Sequence, residues 1–480
     1  MKASRSTPPI PGVRRLGLAC VVMLALTVRA RAEEPPAEAP PIDPWRYDED
    51  YSYLDSRNRG SDDPRAWWEA FKRRPIAGDR VRLDFGLELR AKYEIYENDR
   101  WGGVPDSDHD YFWNRAMPYA SLQIDERFRV FTPMILAFEG GDEAGVSPID
   151  ENRADFLQGF AEMKFDVGEA ASLRLRAGRQ MLAYGSERLI STRYGPNVPL
   201  AYDTAQARLE IDRWRLDLLY GSPVDSDPGE FNDSSSDDVS FWTAYATREL
   251  DFGDRSGLDL YYIGFESEEA SFNQGTGDED RHTFGARFFG AHEAWDWNFE
   301  LFGQVGQFEG GDIRAWSAAS DSGYTLRDVA LTPRLGLKAN VISGDDDPDD
   351  SDLETFNPLF PNGKYFGEIG ILGPYNMINL HPSVRLSPSA EWTVDIGSVL
   401  YWRESTDDGI YDNGGFLLRP DGSSDARFIG SQFDLAATYK PTRTFDVTFA
   451  YSALVAGGFI EDTGRDDTVH FATLEFRFLF

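Results

Sequence analysis

The sequence predicts an all-β fold, a transmembrane antiparallel β-barrel of about eighteen strands. The prediction depends on an N-terminal leader, on long segments in which apolar and polar residues alternate, and on the aromatic residue Phe480 at the end of the last segment. After residue 32, no apolar run reaches the roughly 18 residues that a membrane helix needs. Since only helices and closed barrels satisfy their backbone in lipid, the exported chain is either soluble or a membrane barrel.

The leader begins with basic residues and continues with an apolar run. Arg14 and Arg15 precede residues 16–28, and small residues stand before a cleavage site after residue 32. This is the pattern of a secretory signal peptide. The single cysteine, Cys20, leaves with it, which excludes disulfides and thiolate chemistry from the mature chain. The chain divides into a signal peptide (1–32), a partly disordered periplasmic lead-in (33–79) and the barrel (80–480).

The lead-in carries one helix signal. An acidic residue and a proline at 63–64 predict the start of a short helix that continues through Arg74. Its apolar stripe consists of Trp67, Trp68 and Phe71. We expect this stripe to pack against the periplasmic rim or inside the lumen.

Period-two alternation dominates from residue 80 onward. In the first segment, apolar residues at the odd positions from Val81 to Ile95 alternate with mostly charged residues. This segment is longer than the usual soluble strand of about five or six residues, and it suits a membrane strand of about 9–11 residues with extensions. Similar segments follow near 111–124, 127–139, 153–167, 171–182, 201–211, 213–220, 239–249, 257–267, 282–290, 294–306, 328–342, 365–372, 382–387, 391–403, 427–440, 444–456 and 469–480.

The final segment has one wholly apolar face. Leu474, Phe476, Phe478 and Phe480 share that face, and charged residues share the other. An uncovered soluble strand of this kind would aggregate, whereas a barrel wall turns the apolar face to lipid. Tryptophans near segment ends predict an interfacial girdle: Trp101, Trp113, Trp214, Trp242, Trp295, Trp297, Trp392 and Trp402.

The links between segments also follow the rhythm of a barrel. The links from Ile124 to Phe128 and from Ile211 to Trp214 are short, which predicts periplasmic turns. Long links are acidic and contain Gly, Ser, Pro and Asn, which predicts extracellular loops. The acidic stretches are 225–238, 278–280, 345–352, 407–412 and 421–425.

The net charge of the chain is −34. Nucleic acid is therefore not expected as a partner, because it requires a basic footprint. Solvated surface is the simplest interpretation of the acidic loops, and a divalent-cation site is the alternative, since clustered carboxylates suit hard cations. The only cofactor we consider is a structural Ca²⁺, with candidate ligands Asp345, Asp346, Asp347, Asp349 and Asp350.

Cations on the polar faces of the predicted strands are the main functional signal. A cation on the lipid face would cost about 2–4 kcal/mol near the midplane, so these side chains are predicted to point inward. They form either lumenal salt bridges or an electropositive track for an anionic solute, whose carboxylates arginine binds bidentately. The candidate substrate-binding residues are Arg82, Arg90, Lys92, Arg174, Arg176, Arg334, Lys338, Arg385, Arg403 and Arg477.

No catalytic set is evident in the sequence. The five histidines are scattered without metal-ligand spacing, and no Gly-Xaa-Ser-Xaa-Gly elbow occurs. We therefore do not predict an enzyme, and a barrel enzyme ranks third among the functional hypotheses.

Several stretches, taken in order, carry a family resemblance. They are 173–188 (LRLRAGRQMLAYGSER) with 195–198 (GPNV); 357–368 (NPLFPNGKYFGE) with 373–376 (GPYN) and 380–382 (LHP); and 401–403 (YWR) with 411–419 and the closing strands. Together with the lead-in sequence 47–54 (YDEDYSYL), they resemble the alginate export family of outer-membrane barrels. The resemblance implies a monomeric barrel of eighteen strands with an arginine-rich lumen that passes a polyuronate outward. Arg174, Arg176 and Arg403 lie in its matching strands.

The leading hypothesis is an anion-selective channel in the outer membrane of a Gram-negative bacterium that exports an anionic, alginate-like polysaccharide. The alternative is a porin of similar wall design that takes up small anionic compounds. Besides the polymer, the expected partners are outer-membrane lipid, lipopolysaccharide and the barrel-insertion machinery, which would recognise Phe480.

Overall fold

A computed structural model describes residues 39–57, 66–141, 147–422 and 424–480. The predicted signal peptide, the first part of the lead-in and the predicted helix start at 63–64 lie outside these residues. None of the helices in the described ranges is long and apolar enough to cross a membrane.

Eighteen antiparallel strands form a closed barrel in the described part of the chain. The first and last strands pair with each other, with Glu88 opposite Leu479 and Glu97 opposite His470, so the sheet has no free edge. The strands are β1 (Val81–Glu97), β2 (His109–Ile124), β3 (Phe128–Gly140), β4 (Asn152–Phe156 and Gly159–Val167), β5 (Ala171–Gln180), β6 (Tyr202–Ile211), β7 (Trp214–Asp225), β8 (Val239–Glu249), β9 (Asp254–Phe272), β10 (Gly275–His292), β11 (Trp295–Phe308), β12 (Gly311–Thr325), β13 (Arg334–Ile342), β14 (Met377–Ser389), β15 (Trp392–Trp402), β16 (Phe428–Thr442), β17 (Phe445–Ala456) and β18 (Val469–Leu479).

In the ranges that the structure describes, helical structure is limited to short pieces outside the wall. The α-helices are α1 (Tyr53–Arg57) and α2 (Gly458–Thr463), and the 3₁₀ turns are Trp67–Phe71, Gly78–Arg80 and Asp99–Gly102. The described part of the predicted lead-in helix is therefore one 3₁₀ turn. Short ladders also occur at Arg74–Pro75, Ser234–Ser235, and between Ile410–Tyr411 and Leu417–Arg419.

The two ends of the barrel differ in the length of their connections. The predicted turns at 125–127 and 212–213 lie at the same end as Phe480, which is the periplasmic end in barrels of this kind. Strands β9 to β12 are the exception at the opposite end, because short turns near 273–274 and 309–310 join them. They are 14 to 19 residues long, more than lipid requires. The acidic stretch 278–280, predicted to be a loop, lies within β10, where the strand extends beyond the membrane into water.

The wall separates apolar and polar faces as the alternation predicts. Phe85 and Ile95 of β1 are exposed on the outer surface, while Glu88 and Arg90 are buried on the inner one. Leu474 of β18 is also exposed outward.

Tryptophans mark the periplasmic boundary of the lipid-facing surface. Trp214, Trp295 and Trp392 each begin a strand after a periplasmic turn and are 37%, 57% and 42% exposed, as a girdle requires. Trp101 and Trp113 do not belong to it. Trp101 is buried beneath Arg419 in an extracellular loop, and Trp113 faces inward against Lys92.

Two segment predictions were wrong. One strand was missed and one was predicted where none forms, so the predicted number of strands is still eighteen. Residues 311–325, which were not predicted, form β12, where alanines and serines on both faces leave only weak alternation. Residues 365–372, predicted as a strand, form none. Their apolar side chains, including Phe366 and Ile369, are buried inside the barrel rather than turned to lipid.

Candidate functional site: the barrel lumen

Two extracellular connections fold into the lumen. We call them lumen loop A (residues 181–201, between β5 and β6) and lumen loop B (residues 343–376, between β13 and β14). They meet where the Phe360 N–H donates to the Leu189 carbonyl at 2.9 Å, and the Phe360 ring packs against Tyr202 and Phe241 at 5.3 Å. Much of the sequence that carried the family resemblance therefore builds the interior of the barrel.

Lumen loop A is held by two inward arginines of the wall. Arg90 donates to the carbonyl oxygens of Gly195 at 3.0 Å and Pro196 at 2.6 Å. Arg115 donates to the Asn197 carbonyl at 3.2 Å and pairs with Glu88 at 2.7 Å. Arg90 is 2% exposed, so this predicted cation positions the loop and has little surface for a passing solute.

Three further predicted cations are buried. Lys92 pairs with Glu94. Arg176 pairs with Glu162 at 2.6 Å and lies over the Tyr47 ring at 4.2 Å. Arg403 was predicted to line the lumen, but its guanidinium is enclosed by the loop after β15. It donates there to the Thr406 and Asp408 carbonyls at 2.7 and 3.0 Å.

Three predicted cations lie towards the periplasmic end of the wall. Arg477 pairs with Asp446 of β17 at 3.0 Å. Arg82 and Arg174 approach carboxylates of the lead-in, at 3.7 Å from Asp55 and 3.9 Å from Asp48 respectively. The lead-in therefore supplies compensating charge to the lumen.

The lead-in occupies part of the periplasmic mouth. Tyr47 is buried, its ring packs edge-on against Phe131 and Phe160, and its hydroxyl donates to the Met181 carbonyl at 2.8 Å. Lys72 Nζ donates to the Tyr119 hydroxyl at 2.5 Å. These contacts place the segment inside the barrel.

The lead-in also packs against the outer surface of the barrel, next to the seam between β1 and β18. Trp67 stacks on Phe478 at 5.9 Å and meets Phe480 edge-on at 5.0 Å. Arg46 donates to the backbone oxygen of Phe480 at 2.8 Å. Trp67 and Phe71 of the predicted stripe thus pack at the periplasmic rim against Phe480, whereas Trp68 packs against Tyr51 of the lead-in at 6.0 Å.

Three predicted cations share one water-accessible cavity, which we call the chamber. It measures about 490 Å³ and lies between strands β11 to β16 and lumen loop B. Arg334 pairs with Asp296 at 2.9 Å, and both residues stand next to periplasmic turns. Lys338 and Arg385 are 44% and 56% exposed, the most of the ten predicted cations.

The chamber has mixed charge. Lys338 lies 3.7 Å from Asp321, and Arg385 lies 2.7 Å from Asp395. Asp434 and Glu368 also line it. Of the two interpretations left open by the sequence, the salt-bridge network accounts for most of the ten cations. Exposed cationic surface remains in the chamber beside carboxylate surface of similar exposure, since Arg385 is 56% and its partner Asp395 44% exposed.

A second cavity, which we call the vestibule, lies on the extracellular side. It measures about 670 Å³ and is lined by the extracellular part of β1 and β2, both lumen loops and the 99–106 loop. Arg100 and Arg193 contribute cations to it. Arg100 is 50% exposed and lies 3.9 Å from Asp412.

The acidic stretch 345–352 lies at the start of lumen loop B. Its carboxylates mostly accept hydrogen bonds from nearby backbone N–H groups: Asp345 from Asp347 at 3.0 Å, and Asp347 from Asp349 at 3.3 Å. Asp346, Asp347, Asp349 and Asp350 are exposed. Within the described ranges, no group of three or more His, Cys, Asp or Glu side chains is arranged to hold a metal. The Ca²⁺ site stays a prediction.

Burial shifts the titration of one residue in this stretch. It raises the pKa of Asp345 to about 6, and the neighbouring carboxylate of Asp408 adds to the effect. The Asp345 N–H donates to Asp408 at 3.2 Å, so the two extracellular loops meet through this contact.

Sequence reasoning missed interior residues that lie on the lumen loops or contact them. Arg188 of lumen loop A pairs with Glu300 at 2.5 Å, and Arg281 donates to the Thr355 carbonyl at 3.2 Å. Lys364 lies in the stretch 357–368 that carries the family resemblance, but nothing in its local sequence pattern showed that its loop enters the barrel.

The fold is that of a transmembrane β-barrel of the outer-membrane porin type. The chain is similar in fold to OccK11 of Pseudomonas aeruginosa, with 13% identity, a TM-score of 0.54, and coverage of 83% of this chain and 95% of that one. It is also similar to a BenF-like porin from Pseudomonas fluorescens Pf-5, with 9% identity, a TM-score of 0.55, and coverage of 83% of this chain and 98% of that one. A third similar structure is P. aeruginosa OccK2, solved in complex with glucuronate, with 12% identity, a TM-score of 0.54, and coverage of 83% of this chain and 97% of that one. No curated protein sequence matches significantly.

The chain belongs to the Alginate export family, whose profile matches residues 81–474. This family and porin-like barrels are transport proteins. Together with the large barrel and its porin neighbours, the membership points to the outer membrane of Gram-negative bacteria.

Proposed function

We propose that this protein is an anion-selective outer-membrane channel that exports an anionic polysaccharide of the polyuronate type. The observation that carries the proposal is the chamber, where Arg334, Lys338 and Arg385 present cations near the periplasmic turns of an Alginate export family barrel. The channel acts as a monomer surrounded by lipid and lipopolysaccharide, and Phe480 is the signal for the insertion machinery.

The chamber suits a carboxylate that has to bind and then leave. An arginine guanidinium can hold a uronate carboxylate bidentately, and Arg385 is sufficiently exposed to do so. Its own partner, Asp395, competes for the same cation, which keeps the site weak. Conduction needs sites of this kind, favourable enough to enter and weak enough to leave.

Planar bilayers test the proposal. A single barrel under a salt gradient should prefer anions, and uronate oligomers added from the periplasmic side should block the current. A neutral oligosaccharide of equal length is the matched control and should block far less. Cation preference together with equal block by both oligomers would contradict the proposal.

Uptake of small anionic compounds is the second candidate. A chamber of about 490 Å³ has the size of a small-molecule site, for which about 300–1,000 Å³ is usual. The fold is also that of OccK2, whose structure holds glucuronate. Deleting the gene separates the candidates, because loss of a secreted polymer favours export, whereas slow growth on a small carboxylate favours uptake.

A further inference from the structure

One ion pair lies between the two lumenal cavities. Lys364 and Glu368 of lumen loop B both line the chamber on one side and the vestibule on the other. Lys364 Nζ is 2.5 Å from Glu368 Oε2, and the two side chains are 36% and 25% exposed. A solute that moves between chamber and vestibule along this side of the loop therefore passes the pair.

The backbone beneath the pair is fixed from two sides. Gln432 of β16 donates to the Phe366 carbonyl at 3.1 Å, and the Tyr96 hydroxyl of β1 donates to the Ile369 carbonyl at 3.0 Å. At Gly367 a Cβ would come within 2.6 Å of Gln432 Nε2, so the loop lies directly against the wall. The backbone is held, while the side chains of the pair keep contact with both cavities.

The two wall cations near Lys364 already have carboxylate partners. Lys92 pairs with Glu94, and Arg90 lies 3.8 Å from Glu475. Glu94 and Glu475 also interact electrostatically with Lys364, but each has a cation of its own on the wall. Glu368 is therefore the carboxylate that primarily neutralises Lys364.

We propose that the Lys364–Glu368 pair is the selectivity element between chamber and vestibule, in which the carboxylate of a passing solute replaces Glu368 as the partner of Lys364. The inference rests on the proposed function and deepens it by assigning the step that discriminates charge. Because the incoming and the resident groups are both carboxylates, the exchange leaves the number of charged contacts unchanged. On either side, Lys338 and Arg100 have carboxylate partners at 3.7 and 3.9 Å, so the same exchange can precede and follow the step at Lys364.

The test uses the full-length barrel in planar bilayers, with KCl and a uronate trimer as probes. Glu368→Gln should raise the chloride-to-potassium permeability ratio roughly threefold and strengthen block by the trimer, because Lys364 loses its internal competitor. Lys364→Gln should lower the ratio by a similar factor and weaken the block, and Lys364→Arg should retain both properties. The control is Arg80→Gln, which breaks an exposed ion pair with Asp125 at a periplasmic turn.

The double variant separates a binding site from simple charge balance. Lys364→Gln combined with Glu368→Gln restores the net charge, so its permeability ratio should return towards that of the unmodified protein while block by the trimer stays weak. If both single variants behave like Arg80→Gln, the inference is wrong. The proposed function is still supported in that case if the trimer blocks the unmodified barrel. If the unmodified barrel is not blocked but the single variants shift the ratio in opposite directions, the proposed export of a polyuronate fails, while the pair still discriminates small anions by charge.

Discussion

Arg477 in the last strand lies directly opposite Arg90 in the first, across the seam that closes the barrel. Like charges in this position destabilise a sheet unless other groups compensate them. Glu475 lies 3.8 Å from Arg90, and Asp446 lies 3.0 Å from Arg477. Closure of the barrel therefore depends on carboxylates of the last two strands.

Glu475→Gln should weaken the seam. The substitution leaves the buried Arg90 facing the partly exposed Arg477 with one carboxylate fewer, and breaking a buried ion pair typically costs about 3–5 kcal/mol. The measurement is the temperature at which the folded band on unboiled SDS gels converts to the unfolded one. Asp125→Asn, in an exposed turn, is the control and should change little. Equal midpoints for both variants would show that Glu475 does not support the seam.

The sequence predicted the wall far better than the interior. Period two identifies the face of a strand residue without knowledge of the fold, because the face depends only on parity. The partners of inward residues are remote: Arg90 donates to a carbonyl 105 residues away, and Arg477 pairs with an acid 31 residues away. Residues 365–372 were wrongly predicted to be a wall strand. Apolar residues alternate in a lipid-facing strand, and they can alternate in the same way in a loop that packs against an apolar core inside the barrel. Composition does not distinguish the two.

Arg385→Gln should weaken block by anionic oligomers. Arg385 is half exposed to the chamber, and its charge contributes to each carboxylate that enters. Loss of one exposed ion-pair contact of about 1 kcal/mol should raise the half-blocking concentration of a uronate trimer roughly fivefold. The measurement is block in single-channel recordings.

The control for this change is Arg314→Gln. Arg314 is 61% exposed, pairs with Asp312 at 2.7 Å and does not line the chamber. It should leave the block unchanged. If both variants are blocked at the concentration that blocks the unmodified barrel, the chamber is not a binding site for carboxylates.

Tyr47→Ala should loosen the lead-in within the periplasmic mouth. The ring packs between Phe131, Phe160 and Arg176, and its removal leaves a cavity where large-to-small substitutions cost about 3–5 kcal/mol. Because this segment occupies part of the lumen, we expect higher single-channel conductance and faster cleavage of the lead-in by added protease. Tyr53→Ala, which removes a lead-in tyrosine outside this contact, is the control. Unchanged conductance would show that the current passes beside the segment.

The contact between Asp345 and Asp408 should make the extracellular loops sensitive to pH. Burial raises the pKa of Asp345 to about 6 and also raises the pKa of Asp408. A carboxyl group with a raised pKa binds more protons in the folded than in the unfolded state between pH of about 4 and 6. The stability of the loop contact should therefore be highest below pH 4, fall as the pH rises through this window, and stay low above pH of about 7.

Asp345→Asn should remove most of this dependence, because an amide keeps the buried shape without ionising. Hydrogen exchange of residues 343–357, corrected for the intrinsic effect of pH, is the measurement. In the unmodified protein, exchange should be faster at pH 8 than at pH 5, by roughly tenfold for each unit of pKa shift that is expressed in the loop. Asp349→Asn, at an exposed position of the same stretch, should retain the full dependence. Equal protection at both pH values in the unmodified protein would mean that ionisation of Asp345 does not change the stability of the loop contact.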